Sequence, residues 1–242
     1  MYFVGKNSYM NFWQNFSQNR LLVDASIWSA DVTRLGGEIA RVDEMVDLYH
    51  FDASDAHFVP GLLLYPDLLA GLRPLSRKPF HVHLMVDAPL PLIDDFARAG
   101  ADMITVHAAA GGDPANILQY IRKARLAAGL GFGLDADVEG VIPYLDQIDL
   151  VLLMGTPMGI KGQDLSPLAC PRIRRMQTIL QEHGCARKVK IEADGGIRRQ
   201  TVPLLTSAGA DLIVPGSLLF KNDDLDGTFR WLGMMSRTAS RN

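Results

Sequence analysis

Cysteine is scarce in this chain: Cys170 and Cys185 are the two examples among 242 residues. Their spacing matches no metal-binding or redox motif, so the sequence predicts two reduced thiols, as in cytoplasmic proteins. No uninterrupted apolar run is long enough to cross a bilayer, and residues 1–20 lack the hydrophobic core and cleavage site of a secretion signal. These absences predict a cytoplasmic protein with no membrane partner.

Positive charge is not in excess either, because 24 lysine and arginine residues stand against 27 aspartate and glutamate residues, for a net charge of −3. No basic surface is expected to attract nucleic acid, so no nucleic-acid partner is predicted. An anionic substrate would need local help from backbone N–H groups or a metal. The pattern GxGxxG is also absent after the early strands, which argues against a dinucleotide-binding, doubly wound sheet.

Apolar residues make up 48% of the chain, enough to fill the core of one large domain. Short apolar runs alternate with amphipathic stretches, of which 114–128 and 171–183 are the clearest, and each of these opens with a proline suited to a first helical turn. The candidate strands are Leu21–Ser26, Leu48–Ala53, Phe80–Met85, Met103–His107, Gly131–Asp135, Leu150–Met154, Val189–Ala193 and Leu212–Pro215. This α/β alternation predicts a single (β/α)8 TIM barrel over residues 21–242 after an N-terminal extension, 1–20; a doubly wound sheet ranks second.

Polar side chains cluster where candidate strands end. His50 and Asp52 share one face of the second strand, and the third strand carries His81-Val82-His83, whose two histidines also share one face. The seventh ends in Glu-Ala-Asp, with Asp194 last. Barrel strands converge at their carboxyl ends, where two imidazoles and two carboxylates would suit one divalent ion: zinc, iron(II), manganese or cobalt. Each histidine taken singly is more often a structural residue of the core than a ligand.

Glycines after the last three strands suggest a phosphate site. Small residues let backbone N–H groups approach an anion closely, and loops after the last strands of a barrel commonly bind phosphate. The alternative is that these residues only form tight turns between strand and helix. The residues concerned are Gly159, Gly162, Gly195, Gly196, Gly216 and Ser217.

Five motifs, taken in order and spacing, resemble those of the ribulose-phosphate 3-epimerase family over nearly the whole chain after residue 20. The motifs are SIWSAD at 26–31, HFDASDAHFVP at 50–60, HLMV at 83–86 with a following proline, DGGI at 194–197, and GAD at 209–211 with the Gly-Ser pair at 216–217. The resemblance implies a TIM barrel that epimerises C3 of a ketose phosphate, either ribulose 5-phosphate or a related sugar phosphate. We also expect a homo-oligomer.

The resemblance further implies roles for individual residues. His50, Asp52, His83 and Asp194 stand where the family binds one divalent metal, and the two aspartates stand where it keeps its acid and base. Neighbouring carboxylates push their pKa values apart, so one can remove a proton while the other returns one through an enediolate that a metal would stabilise. The positions that match substrate contacts in the family are Ser26, Met85, Met154, Gly195, Gly196, Gly216 and Ser217. From sequence alone, the two methionines are better explained as core filling.

Several positions depart from the family pattern. Ser54 replaces the usual methionine and Ala56 the usual glycine, residues 107–109 lack the glutamate common there, and the segments 135–137 and 154–163 are altered. The altered loop carries Lys161, which could supply a cation near the phosphate. The retained ligand set with altered walls favours the same chemistry on a related substrate.

Two other functions are less consistent with the sequence. Decarboxylases of related barrels use an Asp-x-Lys arrangement, and the DASD stretch at 52–55 has no lysine. A catalytically silent sugar-phosphate-binding barrel would be favoured by loss of a ligand or carboxylate, and none of the four is lost.

Overall fold

The computed structural model describes residues 11–235, which form a closed barrel of eight parallel strands in the order β1 to β8. The predicted (β/α)8 fold is therefore confirmed. The strands are β1 (Leu22–Ser26), β2 (Leu48–Ser54), β3 (Phe80–Met85), β4 (Met103–His107), β5 (Ala127–Phe132), β6 (Leu150–Met154), β7 (Lys190–Asp194) and β8 (Leu212–Val214).

Helices follow most strands and pack outside the barrel. They are α1 (Leu35–Val42), α2 (Pro66–Leu72), α3 (Leu90–Ala99), α4 (Pro114–Lys123), α5 (Ala169–Glu182), α6 (Val202–Ala208), α7 (Ser217–Phe220) and α8 (Leu225–Gly233). Between β5 and β6 a 3-10 helix, Val138–Tyr144, takes the place of an α-helix. Within the described residues, none of the helices combines the length and the apolar character that a membrane span requires.

Seven strands match the sequence prediction to within one residue at each end, but the prediction for β5 was wrong. It was placed at 131–135, whereas β5 is Ala127–Phe132, and the helix predicted to run from 114 to 128 ends at Lys123. The chain leaves the helix at Arg125, whose φ is +64°. Gly129 and Gly131 obscured β5 in the sequence pattern, because glycine is unfavourable in a strand. It is found there mainly where an adjacent side chain or backbone approaches closely.

Two side chains of the adjacent strand β4 occupy the space that side chains on β5 would fill. A Cβ at Gly129 would lie 2.0 Å from Thr105 Oγ1, and one at Gly131 would lie 3.0 Å from the His107 ring. The glycines thus leave room inside the barrel for two polar side chains of the adjacent strand.

Alternation along each strand sorts side chains into the barrel interior and the outer core. On β2, Tyr49 and Phe51 face the surrounding helices, so Leu48, His50 and Asp52 face inward at successively higher levels. Every residue of β2 is buried because a parallel barrel is covered on both faces. This geometry carries the polar residues to the upper mouth.

The lower end of the barrel is closed by the segment before β1. Residues Phe12–Asn15 form a 3-10 helix whose Trp13 is fully buried against the first residues of several strands. Its ring nitrogen Nε1 donates a hydrogen bond to the carbonyl of Asp149, 2.8 Å away. The remainder of the predicted extension, residues 1–10, lies outside the described residues, as do residues 236–242.

Candidate active site

Four side chains from three strands converge just below the barrel mouth. β2 contributes His50 and Asp52, β3 contributes His83, and β7 ends at Asp194. Strand register places Asp52 directly beside His83. One ligand atom from each of the four lies within 4.8 Å of all the others, so the structure brings the predicted ligand set together.

The donor atoms of the two histidines lie at similar distances from each other and from those of the two aspartates. His50 Nε2 lies 3.2 Å from His83 Nδ1 and 3.4 Å from Asp52 Oδ1. Asp194 Oδ2 lies 3.7 Å from His50 Nε2 and 3.4 Å from His83 Nδ1, which is also 3.4 Å from Asp52 Oδ1. A tetrahedron with metal–ligand bonds of ~2.0–2.2 Å has edges of about 3.3–3.6 Å. A square-planar set would instead place two opposite pairs about 4.2 Å apart, so the donors fit a tetrahedral ion better.

The charges at this point favour a cation. Burial by itself lowers the pKa of His50, but the negative charge of Asp52 and the hydrogen bond to Asp24 outweigh it and raise the pKa of His50 well above its usual value. Burial likewise lowers the pKa of His83, and hydrogen bonds to Asp194 and Asp52 more than compensate, so this pKa is raised as well. The carboxylates therefore stabilise positive charge, which is what a divalent ion supplies.

Asp52 is also fixed from the side of β1. Ser26 Oγ donates a hydrogen bond to Asp52 Oδ2 at 2.9 Å. Burial raises the pKa of the Asp52 carboxyl, but the positive charge of His50 and the hydrogen bonds from His50 and His83 outweigh burial and lower this pKa. Asp52 is therefore held ionised.

A cavity of about 530 Å³ lies above this cluster. Both aspartates line it, whereas His50 and His83 lie beneath it and are fully buried. All the substrate-binding residues predicted from sequence also line it: Ser26, Met85, Met154, Gly159, Gly162, Gly195, Gly196, Gly216 and Ser217.

The glycines meet two separate demands. Gly195 has a φ of +93°, and a Cβ there would lie 2.2 Å from Thr156 Oγ1. A Cβ at Gly216 would lie 2.2 Å from Ser29 Oγ. Packing alone thus requires glycine at both positions, so the alternative of tight turns accounts for part of the pattern. The helix after Gly216 has only four residues, which limits any contribution of a helix dipole to anion binding.

Cations line the same cavity, although the chain is negatively charged overall. Lys161, Arg198 and Lys221 all contribute to its wall. Lys161 Nζ donates to the carbonyl of Trp28 at 2.5 Å and lies 4.6 Å from the centre of the Trp28 ring. Burial and the positive charge of Lys221 lower the pKa of Lys161.

Sequence reasoning identified Lys161 but missed Arg198 and Lys221. A signal was present, because both follow closely after the Gly-Gly and Gly-Ser pairs that enter the cavity. Sequence reasoning also did not identify Trp28 as part of the cavity wall, nor Asp24 and Thr105 as buried polar residues below the cavity.

The altered position Ser54 does not face the substrate cavity. Ser54 Oγ donates to the carbonyl of Gly61 at 2.7 Å and so ties the end of β2 to the loop that follows. Ala56 in the same loop has a φ of +59°, a conformation that normally favours glycine.

Comparison with known proteins identifies relatives that extend over most of the chain. A sequence model of the ribulose-phosphate 3-epimerase family matches residues 22–220. A ribulose-phosphate 3-epimerase of Chlamydia pneumoniae is 37% identical over 209 residues, which are 86% of this chain and 91% of the relative. One of Bacillus subtilis is 36% identical over 203 residues, or 84% and 93% of the two chains.

Solved structures share the fold at low sequence identity. KGPDC from Streptococcus mutans, in a ligand complex, superposes with a TM-score of 0.68 at 14% identity and covers 89% of this chain and 96% of its own. Orotidine 5'-phosphate decarboxylase from Pyrococcus horikoshii gives 0.62 at 13% identity, covering 90% and 100%. Both likenesses concern the barrel alone.

Proposed function

We propose a function on the basis that the chain belongs to the ribulose-phosphate 3-epimerase family. We propose that it is a metal-dependent isomerase that inverts C3 of a ketose phosphate, ribulose 5-phosphate or a closely related sugar phosphate. The observation that carries this proposal is the spacing of 3.2–3.7 Å from the His50 and His83 donor atoms to each other and to those of Asp52 and Asp194, directly beneath a cavity.

One divalent ion would be held by these four residues. Zinc fits the tetrahedral spacing, while iron(II), manganese and cobalt also accept imidazole and carboxylate ligands. When bound, such an ion acts as a Lewis acid for the negative charge that develops on the substrate oxygens after proton removal.

The two aspartates would move the proton. Asp52 and Asp194 come from β2 and β7 and both reach the cavity wall. An ionised carboxylate on one side removes the C3 proton, and a protonated carboxyl on the other returns one to the opposite face. Ser26 restrains Asp52 through its hydrogen bond. Met85 and Met154 line the cavity with side chains that exclude water without exchanging protons.

The phosphate would bind at the far end of the cavity. Support comes from Gly196, Gly216 and Ser217, where backbone N–H groups can approach closely, and from Lys161 and the neighbouring cations. Binding energy from the phosphate can then orient the reacting carbon.

The test is C3 epimerisation of a panel of pentulose and hexulose phosphates by the metal-loaded protein in deuterium oxide, followed by NMR. We expect the C3 epimer to appear together with solvent deuterium at C3. The matched free ketoses should react far more slowly. Binding of a ketose phosphate without deuterium uptake or epimer formation would instead favour a silent sugar-phosphate-binding barrel.

We further propose that the protein is cytoplasmic and homo-oligomeric. Both cysteines are free thiols, as expected in a reducing compartment. Leu62 and Tyr65, in the loop after β2, are 78% and 58% exposed and would be covered in an oligomer. Sedimentation velocity tests the second point, and a monomer at micromolar concentration would refute it.

A further inference from the structure

A second set of polar side chains lies one level below the proposed metal ligands, and we call it the lower polar layer. Its members are Asp24 on β1, His81 on β3, Thr105 on β4 and Glu192 on β7, and all four are 0% exposed. Each precedes an upper inward-facing residue by two positions, so strand alternation places it on the same inner face but deeper. None of the four lines the cavity.

Asp24 connects the lower polar layer to the ligand His50. Asp24 Oδ2 lies 3.2 Å from His50 Nδ1 and 2.7 Å from His81 Nδ1. An ionised carboxylate only accepts hydrogen bonds, so each imidazole must present an Nδ1–H to it. His81 Nε2, 2.7 Å from Thr105 Oγ1, is then left to accept the hydroxyl proton of Thr105.

This pattern determines which nitrogen of His50 is available to a metal. With the proton on Nδ1, the lone pair of Nε2 faces Asp52, His83 and Asp194, the three other donors. We propose that Asp24 is a positioning residue of the metal centre, which holds the ring of His50 in the orientation and tautomer that metal binding requires. The inference rests on the metal site of the proposed function. A carboxylate behind a ligating imidazole also makes that imidazole a stronger ligand.

The alternative that Asp24, His50, His81 and Glu192 form a second metal site is less consistent with the distances. Their ligand atoms are close enough to be considered, and His81 Nδ1 lies 3.5 Å from Glu192 Oε2. However, the 2.7 Å between Asp24 and His81 is a hydrogen-bond distance, shorter than the edge of about 3.3–3.6 Å between two zinc ligands. His50 would also have to bind two ions with one ring. Neither oxygen of Glu192 makes a well-formed hydrogen bond, so the experiment must also distinguish a second metal site.

The experiment measures metal affinity of the full chain for Zn²⁺ and Co²⁺ by competition with a chelating dye, together with the visible absorption of the Co²⁺ form. Asp24→Asn keeps the side-chain volume but offers an N–H group to an imidazole. We expect its metal affinity to fall by roughly 10–100-fold, with a changed Co²⁺ spectrum. Thr105→Val removes only the hydroxyl behind His81. We expect it to lower the metal affinity by a smaller factor and to change the Co²⁺ spectrum less.

Asp149→Asn is the matched control. Asp149 is 3% exposed, accepts the Ala128 N–H and pairs with Arg122, and none of these partners belongs to the proposed metal site. Its metal affinity and Co²⁺ spectrum should equal those of the wild type even if its metal-free thermal stability falls. Thermal melts of all metal-free variants separate loss of fold from loss of positioning.

The outcomes are distinct. Wild-type affinity and spectrum in Asp24→Asn would overturn this inference and leave the proposed function intact. Two ions in the wild type and one in Asp24→Asn would also overturn it, because Asp24 would then be a ligand. A wild-type chain that binds no divalent metal would refute the metal site of the proposed function, and this inference with it. Should Asp24→Asn fail to fold, Thr105→Val decides: unchanged affinity and spectrum would overturn the inference.

Discussion

The Nε2 atoms of His83 and His107 lie 2.7 Å apart, so one ring must donate a hydrogen bond to the other. Because His83 Nδ1 faces the other ligand atoms, its proton belongs on Nε2 and His107 accepts it. Burial and the positive charge of His83 lower the pKa of His107 well below its usual value, which keeps His107 a neutral acceptor. The two proposed histidine ligands are therefore both supported from behind, one by a carboxylate and one by an imidazole.

His107→Leu should destabilise the protein and weaken metal binding. The substitution leaves the buried His83 Nε2–H without an acceptor, at a cost of about 1–3 kcal/mol, and frees the ring to rotate. We expect roughly tenfold weaker metal affinity, measured by chelator competition, and a lower thermal midpoint. His57→Leu, at an exposed histidine of the loop after β2, serves as the control. Unchanged metal affinity in His107→Leu would contradict the assigned role.

Metal removal should abolish activity reversibly. We expect about one divalent ion per chain in purified protein, loss of turnover on chelation and recovery when the ion is returned. His83→Ala removes one of four donors and should lose most of the bound metal by elemental analysis. Full activity in protein shown to be metal-free would refute the metal-dependent mechanism.

Asp52→Asn and Asp194→Asn should each lower kcat by roughly 10²–10⁴-fold, the range that general acid–base groups contribute. Each carboxylate serves one face of the reacting carbon, so neither can replace the other. Metal content must be measured in parallel, because both residues are also proposed ligands. Asp67→Asn, at an exposed carboxylate of α2, is the control. Near-normal turnover in either site variant removes that residue from the mechanism.

The sequence was informative where residue type and strand period act together. His50 and Asp52 on one strand and His83 on the next could be placed at one end of a parallel barrel because alternation and strand convergence are general rules. The rules also located seven strands to within one residue. They failed at β5, where Gly129 and Gly131 serve the side chains of β4, a relationship invisible in a linear pattern.

Features that depend on packing between distant segments were equally hidden. Lys161 reaches the backbone of Trp28 across the cavity, a pairing of residues 133 positions apart. Asp24 lies in an apolar run and gave no motif, yet it contacts two histidines from other strands. Buried polar contacts of this kind are set by strand register around the whole barrel.

Ala56→Gly should stabilise the protein. The φ of +59° at Ala56 costs a residue with a side chain ~1–2 kcal/mol, which exceeds the added entropy of glycine in the unfolded chain. We expect a gain of about 1 kcal/mol in the free energy of unfolding, or about 2–4 °C in thermal midpoint. Gly61→Ala should act oppositely, because Gly61 has a φ of +111° and a Cβ added there would meet no atom within 4 Å, so only backbone conformation changes. A lower midpoint for Ala56→Gly would refute the assignment of strain.

Lys161→Met should raise the KM for a ketose phosphate about tenfold, the value of one charge-assisted hydrogen bond, and leave the free ketose unaffected. Lys123→Met, at an exposed lysine of α4, should change neither the KM for the ketose phosphate nor that for the free ketose.

The pH dependence of KM adds an independent check on Lys161. Because the pKa of Lys161 is lowered, its charge is lost at a lower pH than that of an ordinary lysine. Phosphate binding should therefore weaken as pH rises into the alkaline range, and Lys161→Arg should remove that weakening because a guanidinium stays charged. An identical alkaline rise of KM in wild type and Lys161→Arg would mean that the phosphate is bound by the backbone and the other cations, without Lys161.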